Sequence, residues 1–335
     1  MELSAGNLAT LFTGFDMKFQ SGFEMAPLLS DKIVTPTSSA STVGLYPFMG
    51  RTTKFREWKG ERELQNLEAH TYQLVNRDME DTIGVRVNDI ADDQYGVYEK
   101  MFEQLGWDTK TLTDMLLGGI LKAAIADIDS PTAAAAIFNG WSFKGADVVG
   151  YDGNTLFSAS HPVGLAGNTT ATSNVNTSGG GNPYWFLFDC GRPITGIIWQ
   201  LREAFKLVRM NAITDEEVFK HKMFRFGVDG RAAIGPALWQ LCYASNLDLS
   251  NPSNFGLAVA AMEGFKTDAG QPFGAWSSIP TKKFLMVPPA LREVGEQLMH
   301  GQFGAIEGAS GAVAGIPGTN IWLNSATLLV NPYLA

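Results

Sequence analysis

The stretch that decides the fold is His70-Thr71-Tyr72-Gln73-Leu74-Val75-Asn76-Arg77-Asp78-Met79-Glu80-Asp81-Thr82-Ile83-Gly84-Val85-Arg86-Val87. His70, Tyr72 and Leu74 fall on one side of a period of two, and Ile83, Val85 and Val87 repeat it, which is the signature of half-buried strands. Just upstream lies the densest charge in the chain, with the signs mixed: Lys54, Arg56, Glu57, Lys59, Glu61, Arg62, Glu63 and Glu68. Residues 46–91 therefore read as a long two-stranded β-arm, with Arg77-Asp78-Met79-Glu80 near its turn or at a bulge. A lone hairpin is marginal in water, so this one is expected to dock onto another subunit. The charged, solvated surface of an ordinary sheet is the alternative the residues leave open.

Working outward, Leu8, Leu11, Phe12 and Phe15 recur at helical spacing, with Phe19 and Phe23 beyond. Thr35-Pro36-Thr37-Ser38-Ser39-Ala40-Ser41-Thr42 is too short-sided to build a core. Residues 1–45 are thus expected to form a short helix and an extended arm lying across a neighbour. On the other side, Asp92 or Asp93 can cap a helix that ends at Gly106, and Asp108 or Thr109 can start a longer one bearing Leu112, Met115, Leu116, Ile120 and Ala123. Gly118-Gly119 inside the second marks a bend or a close helix contact.

Residues 164–183 are rich in Gly, Ser, Thr and Asn and read as a loop and an internal boundary. Beyond them, Trp185–Phe188 and Lys283–Val287 read as buried strands. Ile194–Val208 and Phe219–Val228 read as a hairpin around 211–215, Leu257–Phe265 and Ala290–Met299 as helices, and Ile321–Val330 as a final strand. Gly235–Ala244 is strand or helix.

The chain has 335 residues and a formal net charge of −9, with no clustered run of Lys and Arg. That argues against a surface that clamps nucleic acid. Cys190 and Cys242 sit far apart in apolar stretches and read as reduced, buried thiols. No apolar run reaches the length of about 20 residues that spans a bilayer, and the N-terminus lacks the pattern of a signal peptide.

Chemistry-bearing patterns are sparse. The histidines are His70, His161, His221 and His300. Ser158, Ser160 and His161 follow Asp152 closely, but no nucleophile-elbow pattern surrounds either serine, so a Ser/His hydrolase is a remote alternative. Glu80/Asp81 and Asp92/Asp93 fit surface and cap positions. No phosphate-binding glycine loop, calcium loop or zinc spacing is present. The expectation is a protein that is not an enzyme and carries no cofactor or metal.

Several blocks resemble one family. Phe55-Arg56-Glu57-Trp58-Lys59-Gly60-Glu61-Arg62, then Leu67–Tyr72, Asp89–Asp93, Tyr151-Asp152-Gly153, His161-Pro162-Val163, Phe226–Arg231 and Leu285–Pro288 are similar, in order, to the major head subunit of Mu-like phages and prophages. The resemblance covers about residues 10–300 and departs in 130–147, in 164–183 and after His300. It implies the α+β, HK97-like capsid fold: an N-terminal arm (1–45), a projecting E-loop hairpin (46–91) and a P-domain (92–163) with a spine helix near 108–127. The 164–183 loop or insertion would follow, and then an A-domain with returning P-domain strands (184–335).

The implied function is a virion shell of hexamers and pentamers around double-stranded DNA, assembled in the host cytoplasm. A bacterial nanocompartment shell of the same fold is the alternative. Partners would be further copies of the chain, a separate scaffolding protein, a portal protein and a decoration protein, with packaged DNA touched non-specifically and no membrane. The chain starts at the arm without a charged helical pre-segment, which suggests a separate scaffolding protein or removal of such a segment before the mature form, and the resemblance favours the former. Lys54, Arg56, Glu57, Arg62 and Glu63 are the expected inter-subunit contacts.

Overall fold

Two sheets that differ in how many of their faces are covered organise the chain. The computed structural model describes residues 5–49, 69–93, 96–126, 136–138, 141–143, 147–165, 168–210, 212, 215–268, 270–305 and 317–335. The helices are α1 (Ala5–Met25), α2 (Val87–Ala91), α3 (Val97–Ala126), α4 (Glu216–His221), α5 (Pro252–Glu263) and α6 (Arg292–His300). The strands are β1 (Val34–Ser38), β2 (Val43–Met49), β3 (Ala69–Val75), β4 (Arg77–Arg86), β5 (Ala136–Phe138), β6 (Trp141–Phe143), β7 (His161–Leu165), β8 (Asn168–Thr172), β9 (Val175–Asn176), β10 (Trp185–Asp189), β11 (Ile197–Met210), β12 (Met223–Pro236), β13 (Cys242–Ser245), β14 (Lys283–Val287), β15 (Phe303–Ala305), β16 (Pro317–Thr319) and β17 (Thr327–Val330).

The first sheet has the order β1-β11-β12-β4. Its central strand β12 alternates: Phe224, Phe226 and Val228 are buried, while Arg225 and Asp229 are exposed. The buried side meets α1 and α3. Phe15 stacks on Phe102 at 4.3 Å, and Phe102 meets Phe226 edge-on at 4.7 Å. Such aromatic pairs add about 0.5–1.5 kcal/mol beyond their buried area.

Glycine lets the two helices approach. A Cβ on Gly22 would lie 1.8 Å from the Glu103 carbonyl oxygen, and one on Gly106 would lie 2.0 Å from that of Phe19. Gly106 therefore does not end a helix, as the sequence suggested. α3 runs unbroken for 30 residues, because a missing side chain serves a helix crossing as readily as a cap. Asp93 does act as the expected cap, accepting the Val97 and Tyr98 N–H groups at 3.1 and 3.3 Å. The pair Gly118-Gly119 is a close contact: a Cβ there would meet Tyr333 at 2.6 Å and Phe143 at 2.4 Å.

The N-terminal reading needs two corrections. The helix is 21 residues long and seats Leu8, Phe12, Phe15 and Phe19 in its own chain's core. The polar segment after it also stays at home, as β1 pairs in parallel with β11 from Val34↔Ile197 to Ser38↔Leu201. Short polar side chains do not prevent this, because an edge strand is held by its backbone. Asp114 of α3 fixes the turn between them, accepting the Leu29 and Ser30 N–H groups at 3.0 and 2.7 Å.

The second sheet has the order β17-β14-β10-β13-β9 and is covered on both faces. All five residues of β10 are buried, as are all four of β13. This bears out Trp185–Phe188 and Lys283–Val287 as buried strands. The first part of the 164–183 segment is the β7–β8 hairpin and the edge strand β9, with Asn174 wholly buried between β8 and β9, while 177–183 is turn and coil as expected. Phe219 belongs to α4 and is 85% exposed, so β12 starts only at Met223. Gly235–Ala244 divides into the end of β12, a short turn of 3₁₀ helix and β13. The final strand shrinks to Thr327–Val330, with a turn before it.

Candidate assembly surface

The charged arm begins as β2 and β3, which pair antiparallel from Val43↔Val75 to Met49↔Ala69. The paired strands of the arm are therefore 43–49 and 69–75, and Arg77–Glu80 is not its turn. Those four residues lie in β4, which leaves the hairpin at Asn76 and joins β12. Period-two alternation continues through Asn76, so the sequence could not mark the change of partner there.

Asn76 is the pivot. Its side-chain Nδ2 donates to the Ser41 and Thr42 carbonyls at 2.9 and 3.1 Å, and its Oδ1 accepts from the buried Gln200 amide at 2.7 Å. Gln200 Oε1 accepts the Tyr46 hydroxyl. Tyr72 and Leu74 pack on Ile198, Ala233 and Ala237. Gly44 and Gly235 make room, since a Cβ on Gly44 would sit 1.8 Å from Gln200 Oε1 and one on Gly235 2.4 Å from the Tyr72 hydroxyl. Burial raises the Tyr72 hydroxyl well above the ordinary phenol range, with Asp147 adding to it. The hairpin base thus covers one end of the outer face of the first sheet, and the rest of that face is exposed. The expected contact residues Lys54, Arg56, Glu57, Arg62 and Glu63, and His70's side chain, lie outside the described residues.

The Asp152–His161 neighbourhood is assembled, but not as a nucleophile site. His161 is buried, stacked on Trp239 at 4.1 Å, with Nδ1 on Asp152 Oδ2 at 2.6 Å and Nε2 on Asn174 Oδ1 at 3.1 Å. Asn174 Oδ1 also accepts the Ser158 N–H at 2.9 Å, and its Nδ2 donates to the Leu156 carbonyl at 2.8 Å. Catalysis by a serine needs the imidazole nitrogen on the hydroxyl; here an amide oxygen holds that position. The cluster joins β7, the β8–β9 turn and the Trp239 turn. The sequence had quoted Asp152, Ser158 and His161 but missed Asn174, whose polar surroundings read as loop.

Cys242 is buried and Cys190 partly so, and both are free thiols. Burial pushes Cys190 up to about 12, helped by Asp189, and holds Cys242 well above the usual range. Among the described residues no group of His, Cys, Asp and Glu could hold a metal ion, and no helix is long and apolar enough to cross a membrane.

A sheet–helix lobe with an anchored hairpin, joined to a second, closed sheet, defines a shell subunit of the HK97-like capsid class. The chain is similar to a chain of the procapsid of bacteriophage JBD30, with a TM-score of 0.76, 27% identity, and 99% of this chain and 100% of that one covered. It is 30% identical to the major capsid protein of Escherichia phage Mu over 306 residues, which is 90% of this chain and 91% of that protein. It is 29% identical, over 90% and 91%, to the major head subunit of the Mu-like prophage FluMu of Haemophilus influenzae. Residues 8–129 and 132–334 match the Mu-like prophage major head subunit gpT, and the chain belongs to that family of structural capsid proteins.

Proposed function

We infer that copies of this chain close into hexamers and pentamers, and these into an icosahedral shell around double-stranded DNA, assembled in the host cytoplasm. The supporting observation is the hairpin base. Tyr46, Asn76 and Gln200 fix β2 and β3 to the first sheet, while the chain between them carries Lys54, Arg56, Glu57, Arg62 and Glu63. On this reading β2–β3 and their connection are the E-loop. The first sheet with α1 and α3 is the P-domain, with α3 its spine, and the second sheet belongs to the A-domain.

The charged segment of one subunit lies over its neighbour and pairs opposite charges there. One exposed pair contributes only about 0–1 kcal/mol, but a shell repeats it in every subunit. A separate scaffolding protein, a portal and an external decorating protein complete the particle, and the weakly acidic chain touches DNA without sequence preference. The test is charge reversal at Arg56 and Arg62, read by electron microscopy of particles formed in low and high salt. Loss of shells in low salt is expected; normal shells in both salts would refute the assigned contact residues.

A further inference from the structure

The β2–β3 arm stands on a small footing. β3 ends at Val75 and β4 begins at Arg77, so on that side the single residue Asn76 separates arm from sheet. Tyr72 and Leu74 rest on the sheet, but the packing beside them is open. Tyr72, Leu74, Arg77, Leu116, Phe143 and Asp147 are among the residues around a cavity of about 210 Å³. Two of them, Arg77 and Asp147, are paired at 2.6 Å. The Arg77 guanidinium also lies 5.7 Å from the centre of the Phe143 ring, within reach of a cation–π contact. Phe143 is buried against α3, where Gly119 makes room for it, since a Cβ there would fall 2.4 Å from the ring. Phe143 and Asp147 thus come from a segment seated on α3, whereas Arg77 adjoins the root of the arm. The Asp147 charge also reaches the Tyr72 hydroxyl of the arm and helps to hold its proton.

We propose that Arg77, Asp147 and Phe143 form a latch that sets the direction of the β2–β3 arm, with Asn76 as its hinge and the cavity as the space its root moves into when the latch opens. The inference rests on reading β2–β3 as the arm by which subunits meet, and adds the device that aims it. The Asn76–Gln200 hydrogen bond lies at the hinge itself, where it has little leverage against rocking. A close-packed root would resist tilting unaided, because protein interiors deform little; a root beside a cavity needs a tie to another body, and α3 is that body. The tie is also exchangeable. The Arg77 and Asp147 side chains are 33% and 29% exposed, and pairs open to water are individually weak. Contacts with a neighbour can therefore replace it as subunits come together.

The test uses the full chain with Arg77→Met, Asp147→Asn and both changes together. Spin labels are placed at Ala69→Cys, the far end of β3, and at Thr82→Cys in β4, in a Cys190→Ala background. Labelled chain is diluted into unlabelled chain, so that only distances within one subunit are read. With the latch intact the distribution should be narrow. Each single variant should broaden or displace it, and should speed amide exchange in β2 and β3 by about two- to fivefold, the range a partly exposed pair supports. Exchange in β10 should not change. The combined variant should do no more than either alone, because all three lose the same contact.

An unchanged distribution and unchanged exchange in both single variants would refute the latch, as would single effects that add in the combined variant. Protection lost in α3 and β10 as well would show that the pair holds the fold together and does not aim the arm. The assembly reading fails separately, if the unaltered chain forms no shells in cells producing the other head proteins while the distances still respond as expected.

Discussion

Strands β10 and β12 lie at the hearts of the two sheets and present opposite solutions. β10 buries every residue between covered faces, whereas β12 buries Phe224, Phe226 and Val228 and leaves Arg225 and Asp229 in water. The closed sheet is also stitched by buried polar groups, with Asn174, His161 and Asp152 joining three segments. The open sheet is held on one side by aromatic shape and by helices touching through glycine. The closed sheet has both faces covered, while the open one leaves part of a face in water. That division of labour suits a subunit that must be rigid in one part and adhesive in another.

The strongest way to break the comparison is to remove the aromatic wedge. Phe226→Ala should cost about 3–5 kcal/mol, as large-to-small changes at buried aromatics do. It should also raise amide hydrogen exchange in α1 and α3 while leaving β10 protected. Equal loss of protection in both sheets would mean that the two regions are one cooperative unit.

Gly106→Ala should follow at about 1–3 kcal/mol, the usual cost of overpacking, because its Cβ would press on the Phe19 carbonyl, which cannot rotate away. A neutral or stabilising result in a denaturant melt would show that α1 can lift off α3. Asn174→Ala tests the closed side. It strands the Ser158 N–H and the Leu156 carbonyl, and an unmade buried hydrogen bond costs about 1–3 kcal/mol. Exchange should rise here around β7–β9 and not in α1.

These contrasts mark how far the sequence could be read. Trp185–Phe188 and the spacing of Leu8, Phe12 and Phe15 reveal burial because periodicity is local. Gly106 looks like a helix end, since the carbonyl that needs its missing side chain belongs to a helix far away in the chain. Asn174 looks like loop for the same reason: its partners come from residues 156 to 161 and 239 to 242. The residues proposed to meet a neighbour, from Lys54 to Glu63, stand on the charge pattern of the sequence alone. The make-up of the open sheet's faces depends on register between β4, β11 and β12, which no single stretch encodes.

Alkaline pH offers a milder probe. Cys190 keeps its proton up to about 12, against 9.0 for an ordinary thiol. In that window the unfolded chain has lost a proton that the folded chain retains, so stability falls as pH rises. Cys190→Ala should make the decline between pH 9 and 12 shallower, as seen in melts taken across the range. An unchanged slope would place the alkaline sensitivity elsewhere, with the buried hydroxyls of Tyr72 and Tyr151, which are raised too, the next to test.

The smallest effect is expected where charge rather than shape joins α1 to the open sheet. Arg209 and Asp16 pair at 2.7 Å, but each side chain is about two-fifths exposed, and exposed pairs contribute about 0–1 kcal/mol. Arg209→Ala should therefore shift the melt slightly, and less still in high salt, while Phe226→Ala stays costly in either. If the two variants instead proved comparable at low salt, α1 would be held down by its rim. The aromatic stack beneath it would then be a consequence of that seat and not its cause.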